Sequence, residues 1–338
     1  MPKRLFSILM LALLPALSLG ADARPRQVFD VTRDDIREFA QGVADRNGME
    51  SATIITLLGK AKPQNSILEA MDKPAERSLA WYEYRERFLT DQRIEAGLRF
   101  WREHRTELTR VSNERGVPPE YLVAILGIET QYGRTTGRYR VLDALATLAF
   151  DYPARSAYFR QELEQFLLMA RDKEIDPLTT TGSYAGAMGA PQFMPSSFRK
   201  FAVDENGKGH RDLWKDWSDV FGSVANYFVV HGWQPGGPVL VDSVGINPVD
   251  DPAAFRFDRK DTVGAIRERG YRFESTLAPD APAWLVPAEQ ADGPAFRVGF
   301  NNFYVISRYN RSSRYAMAVS DLASALRSRA GEVAAASP

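Results

Sequence analysis

The sequence predicts a mainly α-helical protein with a small α+β part, and two observations support this fold class. Apolar residues recur at intervals of three and four along most of the chain, which is the pattern of amphipathic helices. The stretch 235–306 differs, because prolines and glycines are frequent there and short runs of β-branched and aromatic residues indicate strands. We therefore expect a helical protein that contains a small α+β insertion.

Six segments are predicted to be helices. One of them opens at Pro118 and Pro119, runs to Glu129 and has almost no polar side, which is typical of a buried helix. Ser218 is predicted to cap another, because a serine side chain can accept a hydrogen bond from the first turn of a helix. The five amphipathic helices are predicted at residues 31–47, 90–115, 154–172, 218–231 and 313–329.

The segments between these helices are predicted to be loops and short strands. Residues 63–74 begin and end with proline, which favours a loop. Three short apolar runs in the last third of the chain indicate strands of a small sheet. These runs are residues 239–241, 296–298 and 304–306.

The composition is that of an ordinary globular protein. The chain has 338 residues, with 43 basic and 43 acidic side chains, and this balance argues against a nucleic-acid partner. It has no cysteine, which excludes disulfides, a thiolate metal site and a cysteine nucleophile. We expect a monomer that depends on its core for stability, because a chain of this length can bury a large core.

The amino-terminal residues predict a secretory signal peptide over residues 1–23. Lys3 and Arg4 precede an apolar run, and Ala21 and Ala23 form the small-x-small pattern that precedes cleavage. Cleavage after Gly20 is the close alternative. A membrane-spanning anchor is disfavoured, because it needs roughly 20 apolar residues and this run is shorter and interrupted.

Glu129 stands at the end of the buried helix. Because a charged group is costly to bury, a carboxyl group on an apolar wall is expected to have a raised pKa. Such a group can stay protonated near neutral pH and act as a general acid. The alternative is a structural ion pair with Arg134 or Arg138, since ion pairs also shift pKa values.

Three further segments carry polar side chains that are candidates for a functional site, and the first of them suits a cleft that binds a neutral polar ligand such as a sugar. A glycine- and proline-rich segment that cannot be regular structure contains Ser183 and Gln192. Asn226 lies inside a predicted helix, where asparagine is unfavourable, and Tyr309 and Asn310 follow a predicted strand. Each segment has a structural alternative: a plain loop, a solvent-facing asparagine and a turn that caps the last helix.

The residues that begin at Asp204 resemble the start of an EF-hand loop. Asp204, Asn206 and Gly209 stand at positions one, three and six of that pattern. Lys208 stands at position five, where an oxygen ligand is expected, and Lys215 stands at position twelve, where glutamate is expected. The sequence leaves two alternatives, a calcium loop and a glycine turn without metal.

Together these segments resemble the lytic transglycosylase B family of bacterial murein lyases, and the similarity is densest at 127–133, 141–148, 166–172, 182–197, 223–228 and 309–319. The resemblance implies a lysozyme-like helical core. It implies a helical region at 24–117, the catalytic core at 118–234, a small α+β region at 235–306, and a carboxyl-terminal helix within 307–338 that returns to the core. Because the chain lacks the cysteine of the family's lipoproteins, we expect a soluble periplasmic form.

The resemblance also implies roles for individual residues. Glu129 falls on the family's catalytic acid and base, and no cofactor is required. The positions that line the sugar cleft fall on Ser183, Gln192, Asn226, Tyr227, Tyr309 and Asn310, and Tyr84, Arg155 and Tyr158 are expected to face the glycan or its peptide. The family's metal loop falls on Asp204, Asn206, Lys208, His210 and Asp219, of which Lys208 departs from the pattern.

The activity implied by the resemblance is cleavage of the β-1,4 bond between N-acetylmuramic acid and N-acetylglucosamine in peptidoglycan. Most glycosidases place two carboxylates at the bond, whereas in this sequence Glu129 alone has a catalytic setting. We expect Glu129 to act first as acid and then as base, so that the C6 hydroxyl closes on C1 and gives a 1,6-anhydro sugar. Two alternatives are a muramidase that hydrolyses the same bond and a non-catalytic peptidoglycan-binding protein.

Overall fold

A computed structural model describes residues 28–72, 79–245, 247 and 250–336, with side chains described as far as residue 331. The predicted signal peptide, residues 1–23, lies outside the described residues. Within the described ranges, no helix is both long enough and apolar enough to span a membrane.

Helices make up most of the described chain, as predicted. Five of the six predicted helices are confirmed, with ends that differ by a few residues. The helices are α1 (Asp34–Asn47), α2 (Ser51–Leu58), α3 (Asn65–Asp72), α4 (Trp81–Glu86), α5 (Asp91–Glu103), α6 (Arg105–Arg115), α7 (Pro119–Thr130), α8 (Val141–Asp151), α9 (Ser156–Arg171), α10 (Pro195–Phe201), α11 (Trp217–Val230), α12 (Val263–Glu268), α13 (Asn301–Tyr309) and α14 (Ser313–Ala336). The strands are β1 (Tyr139–Arg140), β2 (Thr181–Gly182), β3 (Leu240–Asp242), β4 (Asp261–Thr262), β5 (Pro282–Pro287) and β6 (Phe296–Gly299).

Helix α7 lies at the centre of the larger core. Every residue from Leu122 to Gly127 is buried, and the helix packs against α5, α6, α11 and α14. A helix that is apolar on all sides is stable only when other elements cover it. The prediction that this segment is a buried helix is therefore confirmed.

Four strands form a small antiparallel sheet in the order β3-β6-β5-β4. Val298 of β6 pairs with Val241 of β3 on one side and with Leu285 of β5 on the other. This sheet contributes to a second, smaller core that includes Tyr271 and Phe300. The predicted runs 239–241 and 296–298 lie in or overlap β3 and β6, whereas β5 was not predicted from the sequence.

The prediction of one long helix at 90–115 is wrong, because the chain breaks at His104. His104 ends α5 with φ −111° and ψ 24°, and α6 begins at the next residue. Its ring packs between Phe100 and Trp217, with centroid separations of 4.6 and 5.1 Å. The break allows α5 to pack against α7 and α14 while α6 packs against α11.

The run 304–306 is helical, and its prediction as a strand is wrong. It lies in α13, where Asn302, Phe303, Val305 and Ile306 are buried at the spacing of one helix face. A run of three apolar residues fits either structure, and packing against α14 decides in favour of the helix.

Two smaller predictions are also wrong. Residues 63–74 contain the helix α3, because Ile67 is fully buried and fixes one helical face against the core. Asp216 rather than Ser218 caps α11, since its Oδ1 accepts hydrogen bonds from the backbone N–H groups of Ser218 and Asp219 at 3.1 and 3.5 Å. Aspartate at this position also carries a negative charge favourable to a helix N-terminus.

The buried Glu162 of α9 holds the start of α10 in place. Its side chain is 4% exposed, and its two oxygens accept hydrogen bonds from the backbone N–H and the hydroxyl of Ser196 at 2.9 and 2.7 Å. Helix α10 follows the glycine-rich segment that contains Ser183 and Gln192. Glu162 therefore anchors the carboxyl-terminal end of that segment to the core.

Replacing Glu162 with Gln is expected to lower the free energy of unfolding by about 1–2 kcal/mol, because hydrogen bonds to a charged group contribute about 1.5–3 kcal/mol and neutral ones about 0.5–1.5 kcal/mol. Denaturant unfolding measures this change. Glu38→Gln, an exposed position on α1, is the control and should leave the stability unchanged. Equal stability of the two variants would contradict the anchoring role of Glu162.

Candidate active site

Glu129 lies in the last turn of α7 and is half-buried. The turn after it is tightly held: Gln131 and Tyr132 have φ values of 51° and 63°. The hydroxyl of Thr130 donates to the carbonyl oxygen of Ala190 at 2.8 Å and accepts from the N–H of Gly133 at 3.0 Å. The end of α7 is therefore fixed to the glycine-rich segment, and this places Glu129 beside it.

The hydroxyl group of Tyr315 donates a hydrogen bond to Oε1 of Glu129 at 2.6 Å. Tyr315 is 2% exposed, and burial, followed by the charge of Glu129, raises its pKa well above the usual 10. The phenol therefore keeps its proton and stays a donor. The sequence analysis did not select Tyr315, although it lies in the segment 309–319 that carries the family resemblance.

Tyr309 and Tyr227 stand next to this pair. The ring of Tyr309 lies 6.5 Å from that of Tyr315 and 4.9 Å from that of Tyr227. Both hydroxyl groups donate to backbone carbonyls, of Pro191 and Arg308 respectively, at 2.6 Å. Burial raises the pKa of Tyr227 to about 12. The structure thus places both predicted tyrosines together, as an aromatic wall whose hydroxyls are already bonded.

Ser183 and Gln192 of the glycine-rich segment both hydrogen-bond to backbone groups of the protein. The hydroxyl oxygen of Ser183 accepts hydrogen bonds from the N–H groups of Ala185 and Ala187 at 3.3 and 3.0 Å. The amide nitrogen of Gln192 donates to two backbone carbonyls at 2.9 and 3.0 Å. Within the described part of the chain the amide oxygen of Gln192 accepts no hydrogen bond, so it can accept one from a ligand.

Both the nitrogen and the oxygen of the Asn226 side-chain amide form hydrogen bonds with other protein groups. Its nitrogen donates to the carbonyl oxygen of Phe201 at 2.9 Å, and its oxygen accepts from Arg115 at 3.3 Å. These bonds tie α11 to α10 and α6. The geometry gives Asn226 a structural task and explains why an asparagine stands inside a helix.

A groove of about 1230 Å³ brings together three predicted residues that are far apart in the sequence. These are Tyr84, Arg155 and Asn310. The residues from Asn310 to Arg314 line one wall of the groove, and the next residue along the chain, Tyr315, is the one that hydrogen-bonds Glu129. Four arginines line it, Arg155, Arg256, Arg311 and Arg314, together with the aromatic rings of Tyr84, Tyr152 and Tyr184.

Tyr158 stands at the edge of this arrangement. It is 37% exposed, and the guanidinium group of Arg155 lies 4.6 Å from the centre of its ring. A cation over an aromatic face is attracted by the negative face of the ring. Arg155 is thereby held in position with its charge available to the groove.

The predicted metal ligands do not assemble as a metal site. Throughout the described residues, no group of three His, Cys, Asp or Glu side chains has an arrangement that could hold a metal ion. His210 is exposed, and Asp219 is 1% exposed. Asn206 donates to Asp216 at 2.8 Å, and the ammonium group of Lys208 donates to the same carboxylate at 2.7 Å.

Comparison with known proteins decides the family. The model of a transglycosylase SLT domain matches residues 32–324 of this chain. The chain belongs to this transglycosylase family. The predicted family is therefore confirmed, and Glu129, Tyr309 and Tyr315 all lie within the matched residues.

Individual relatives and solved structures agree with this membership. The chain is 41% identical over 299 residues to the membrane-bound lytic murein transglycosylase B of Escherichia coli strain K12, covering 86% of this chain and 82% of that protein. It is 45% identical to the catenated lytic transglycosylase SltB1 of Pseudomonas aeruginosa, with a TM-score of 0.82 and coverage of 88% and 98%. The E. coli lytic transglycosylase Slt35 in complex with calcium is 40% identical, with a TM-score of 0.80 and coverage of 90% and 96%. The mainly helical, lysozyme-like fold is confirmed.

Replacing Tyr315 with Phe removes the donor to Glu129 and keeps the ring. We expect kcat of this transglycosylase to fall by about 10- to 100-fold, or about 1.4–2.7 kcal/mol in the barrier. Because a hydrogen bond to the charged form of a carboxyl group lowers its pKa, its loss should also move the limb of the pH–rate profile that reports Glu129 to higher pH.

The control is Tyr271→Phe, at an equally buried tyrosine of the second core, which should change neither kcat nor the profile. Pre-steady-state rates on sacculi across the pH range measure both effects. A Tyr315→Phe enzyme with an unchanged pH–rate profile would show that the hydrogen bond does not act on the reacting carboxyl group.

Proposed function

We propose that this lytic transglycosylase cleaves the bond between N-acetylmuramic acid and N-acetylglucosamine in peptidoglycan. We propose that Glu129 is the residue that transfers the proton in this reaction. The observation that carries the proposal is the half-buried carboxyl group of Glu129, which accepts a hydrogen bond from the buried Tyr315. Tyr315 directly follows the segment 310–314, which lines a groove together with several aromatic rings. A carboxyl group held in this way has a fixed orientation, which proton transfer requires.

The proposed reaction consumes no water. Glu129 donates its proton to the glycosidic oxygen as the bond from that oxygen to C1 breaks, and positive charge develops at C1. The C6 hydroxyl of the same muramic acid residue then bonds to C1, and its proton passes to the Glu129 carboxylate. One carboxyl group serves as acid and then as base, and the 1,6-anhydro product leaves the enzyme in its starting protonation state.

The other residues orient the sugar. An internal nucleophile needs only correct placement, and placement alone lowers a reaction barrier substantially. We propose that Ser183, Gln192 and Asn310 hydrogen-bond the sugar on the two sides of the groove. Tyr309 and Tyr227 form the wall behind Glu129, where their bonded hydroxyls keep the rings rigid.

The arginines of the groove suit a glycan that carries peptides. The stem peptides of peptidoglycan bear carboxylates, and guanidinium groups bind carboxylates in bidentate geometry. Arg155, Arg256, Arg311 and Arg314 reach the groove from three separate segments of the chain. We propose that they bind the peptide part of the substrate while the tyrosine rings contact the glycan.

The predicted signal peptide supports a periplasmic setting for the activity. We propose that the chain works in the periplasm after removal of the predicted signal peptide, as a monomer that requires no cofactor. The absence of cysteine is compatible with an oxidising compartment, because no thiol can form unwanted disulfides there.

Glu129→Gln is expected to abolish the release of 1,6-anhydro-muropeptides from sacculi, because glutamine can neither donate nor accept the proton. Mass spectrometry of the digest measures the product. Glu120→Gln on the same helix, at a residue that is also buried, is the control for folding and should retain turnover. Release of anhydro products by the Glu129→Gln enzyme would refute the assignment.

The same experiment separates the lyase from a hydrolysing muramidase. A two-carboxylate enzyme needs a second acid about 5 to 9.5 Å from the first, and the acids among the groove residues are Asp72 and Asp258, both exposed. If the enzyme is a lyase, activity should be retained in the variants Asp72→Asn and Asp258→Asn. A loss comparable to that of Glu129→Gln in either variant would favour the muramidase.

Arg311→Gln and Arg256→Gln are each expected to raise KM for peptide-bearing glycan by about 3- to 10-fold and to leave KM for peptide-free glycan unchanged. Exposed ion pairs contribute up to about 1 kcal/mol, which corresponds to roughly this factor. Arg37→Gln, an exposed position on α1, is the control. An equal rise in KM for both substrates would contradict the binding of peptide carboxylates.

A further inference from the structure

The loop from Asp204 to Asp216 follows the EF-hand pattern at some positions and opposes it at others. Calcium in such a loop binds about six to eight oxygen atoms. Lysines stand at positions five and twelve, where the EF-hand pattern supplies oxygens. In the metal loop that the family resemblance implies, Lys208 is the residue whose side chain cannot supply an oxygen ligand. The residues present therefore do not fit the cation that the family resemblance implies.

Lys208 places a positive charge among the acidic side chains of the loop. Its ammonium group forms an ion pair with Oδ2 of Asp216 at 2.7 Å. The other oxygen of Asp216 caps α11, so the pair connects the loop to the start of that helix. Asn206 donates to the same Oδ2 at 2.8 Å. An ammonium group and an amide thus satisfy the carboxylate from the loop side.

The carboxylates of Asp204 in the loop and of Asp219 in α11 are bonded to the backbone of the loop. The oxygens of Asp204 accept hydrogen bonds from the N–H groups of Lys208 and Gly209 at 2.9 and 2.6 Å. Those of Asp219 accept from the N–H groups of Glu205 and Asp212 at 2.8 and 2.9 Å. All four oxygens stabilise the turns of the loop directly, and this geometry needs no ion to bridge them.

The neighbouring Glu205 is also neutralised by the protein. Its side chain is 3% exposed, and its carboxylate forms ion pairs with Arg115 and Arg110 at 2.6 and 3.1 Å. A divalent cation in the loop would therefore meet an ammonium group instead of a free acid, and like charges at short range repel strongly.

We propose that the ammonium group of Lys208 is the resident cation of this loop and makes the fold of the loop independent of calcium. The inference does not rest on the catalytic assignment of Glu129. It predicts that removing the charge of Lys208 destabilises the protein, and that calcium stabilises the protein only after oxygen ligands replace the two lysines.

The test measures the thermal midpoint Tm of four full-length proteins in EDTA and in calcium chloride, with sodium chloride at matched ionic strength. The wild type is expected to have the same Tm in both. Lys208→Met is expected to lower Tm by about 1–3 °C without rescue by calcium, since an exposed ion pair contributes little in a chain of this size. Lys215→Met is the matched control, because within the described residues the exposed Lys215 side chain forms no ion pair.

The double variant Lys208→Asp with Lys215→Glu supplies oxygens at positions five and twelve. It is expected to melt below the wild type in EDTA and to gain several degrees when calcium is about 100-fold above its dissociation constant. Isothermal titration of wild type with calcium gives a readout that does not depend on the variants and should show no binding heat. Calcium binding by the wild type, or identical Tm values for Lys208→Met and Lys215→Met, would overturn the proposal.

Discussion

The hydrogen bond from Tyr315 to Glu129 joins two helices whose residues are 186 positions apart in the sequence. It forms only because α14 packs along α7 and brings its first turns to the end of that helix. The last helix of the chain therefore completes a site whose central residue belongs to the middle of the chain. The small α+β part lies between them in sequence, so its own fold must return the chain to the core.

The acidic side chains of this protein differ in the groups that bind them, and these partners determine the role of each acid. Glu162 and Asp219 are almost fully buried, and hydrogen bonds from helix starts and turns satisfy them. Glu205 is neutralised by two arginines. Glu129 receives a hydrogen bond from the hydroxyl group of Tyr315, and a bond of this kind stabilises the charged form of a carboxyl group. The fixed orientation that this bond gives suits a group that must both lose and regain a proton.

The sequence predicts those features that depend on neighbouring residues in the chain. The apolar α7, the position of Glu129 at its end and the glycine-rich segment with Ser183 and Gln192 could all be read from residue patterns. The predicted rise in the pKa of Glu129 stays a prediction. The family resemblance supplied Tyr84 and Arg155, which no local pattern would select, and the groove brings these two residues together with Asn310.

What the sequence could not supply depends on tertiary contacts. The break at His104 is set by the packing of its ring between Phe100 and Trp217, and the helical state of 304–306 by packing on α14. Tyr315 has no local mark of function, because its role exists only through a partner far away in sequence. The partner of Lys208 is also set by the folded loop, which brings its ammonium group to 2.7 Å from Asp216.

The most direct test of the account is digestion of sacculi in water labelled with oxygen-18, followed by mass spectrometry of the released fragments. A lyase that closes the C6 hydroxyl on C1 forms its product without water, so the account predicts muramic acid ends in the anhydro form with no label. Fragments whose new reducing end carries one oxygen-18 atom at C1 would contradict it, because the site would then catalyse hydrolysis.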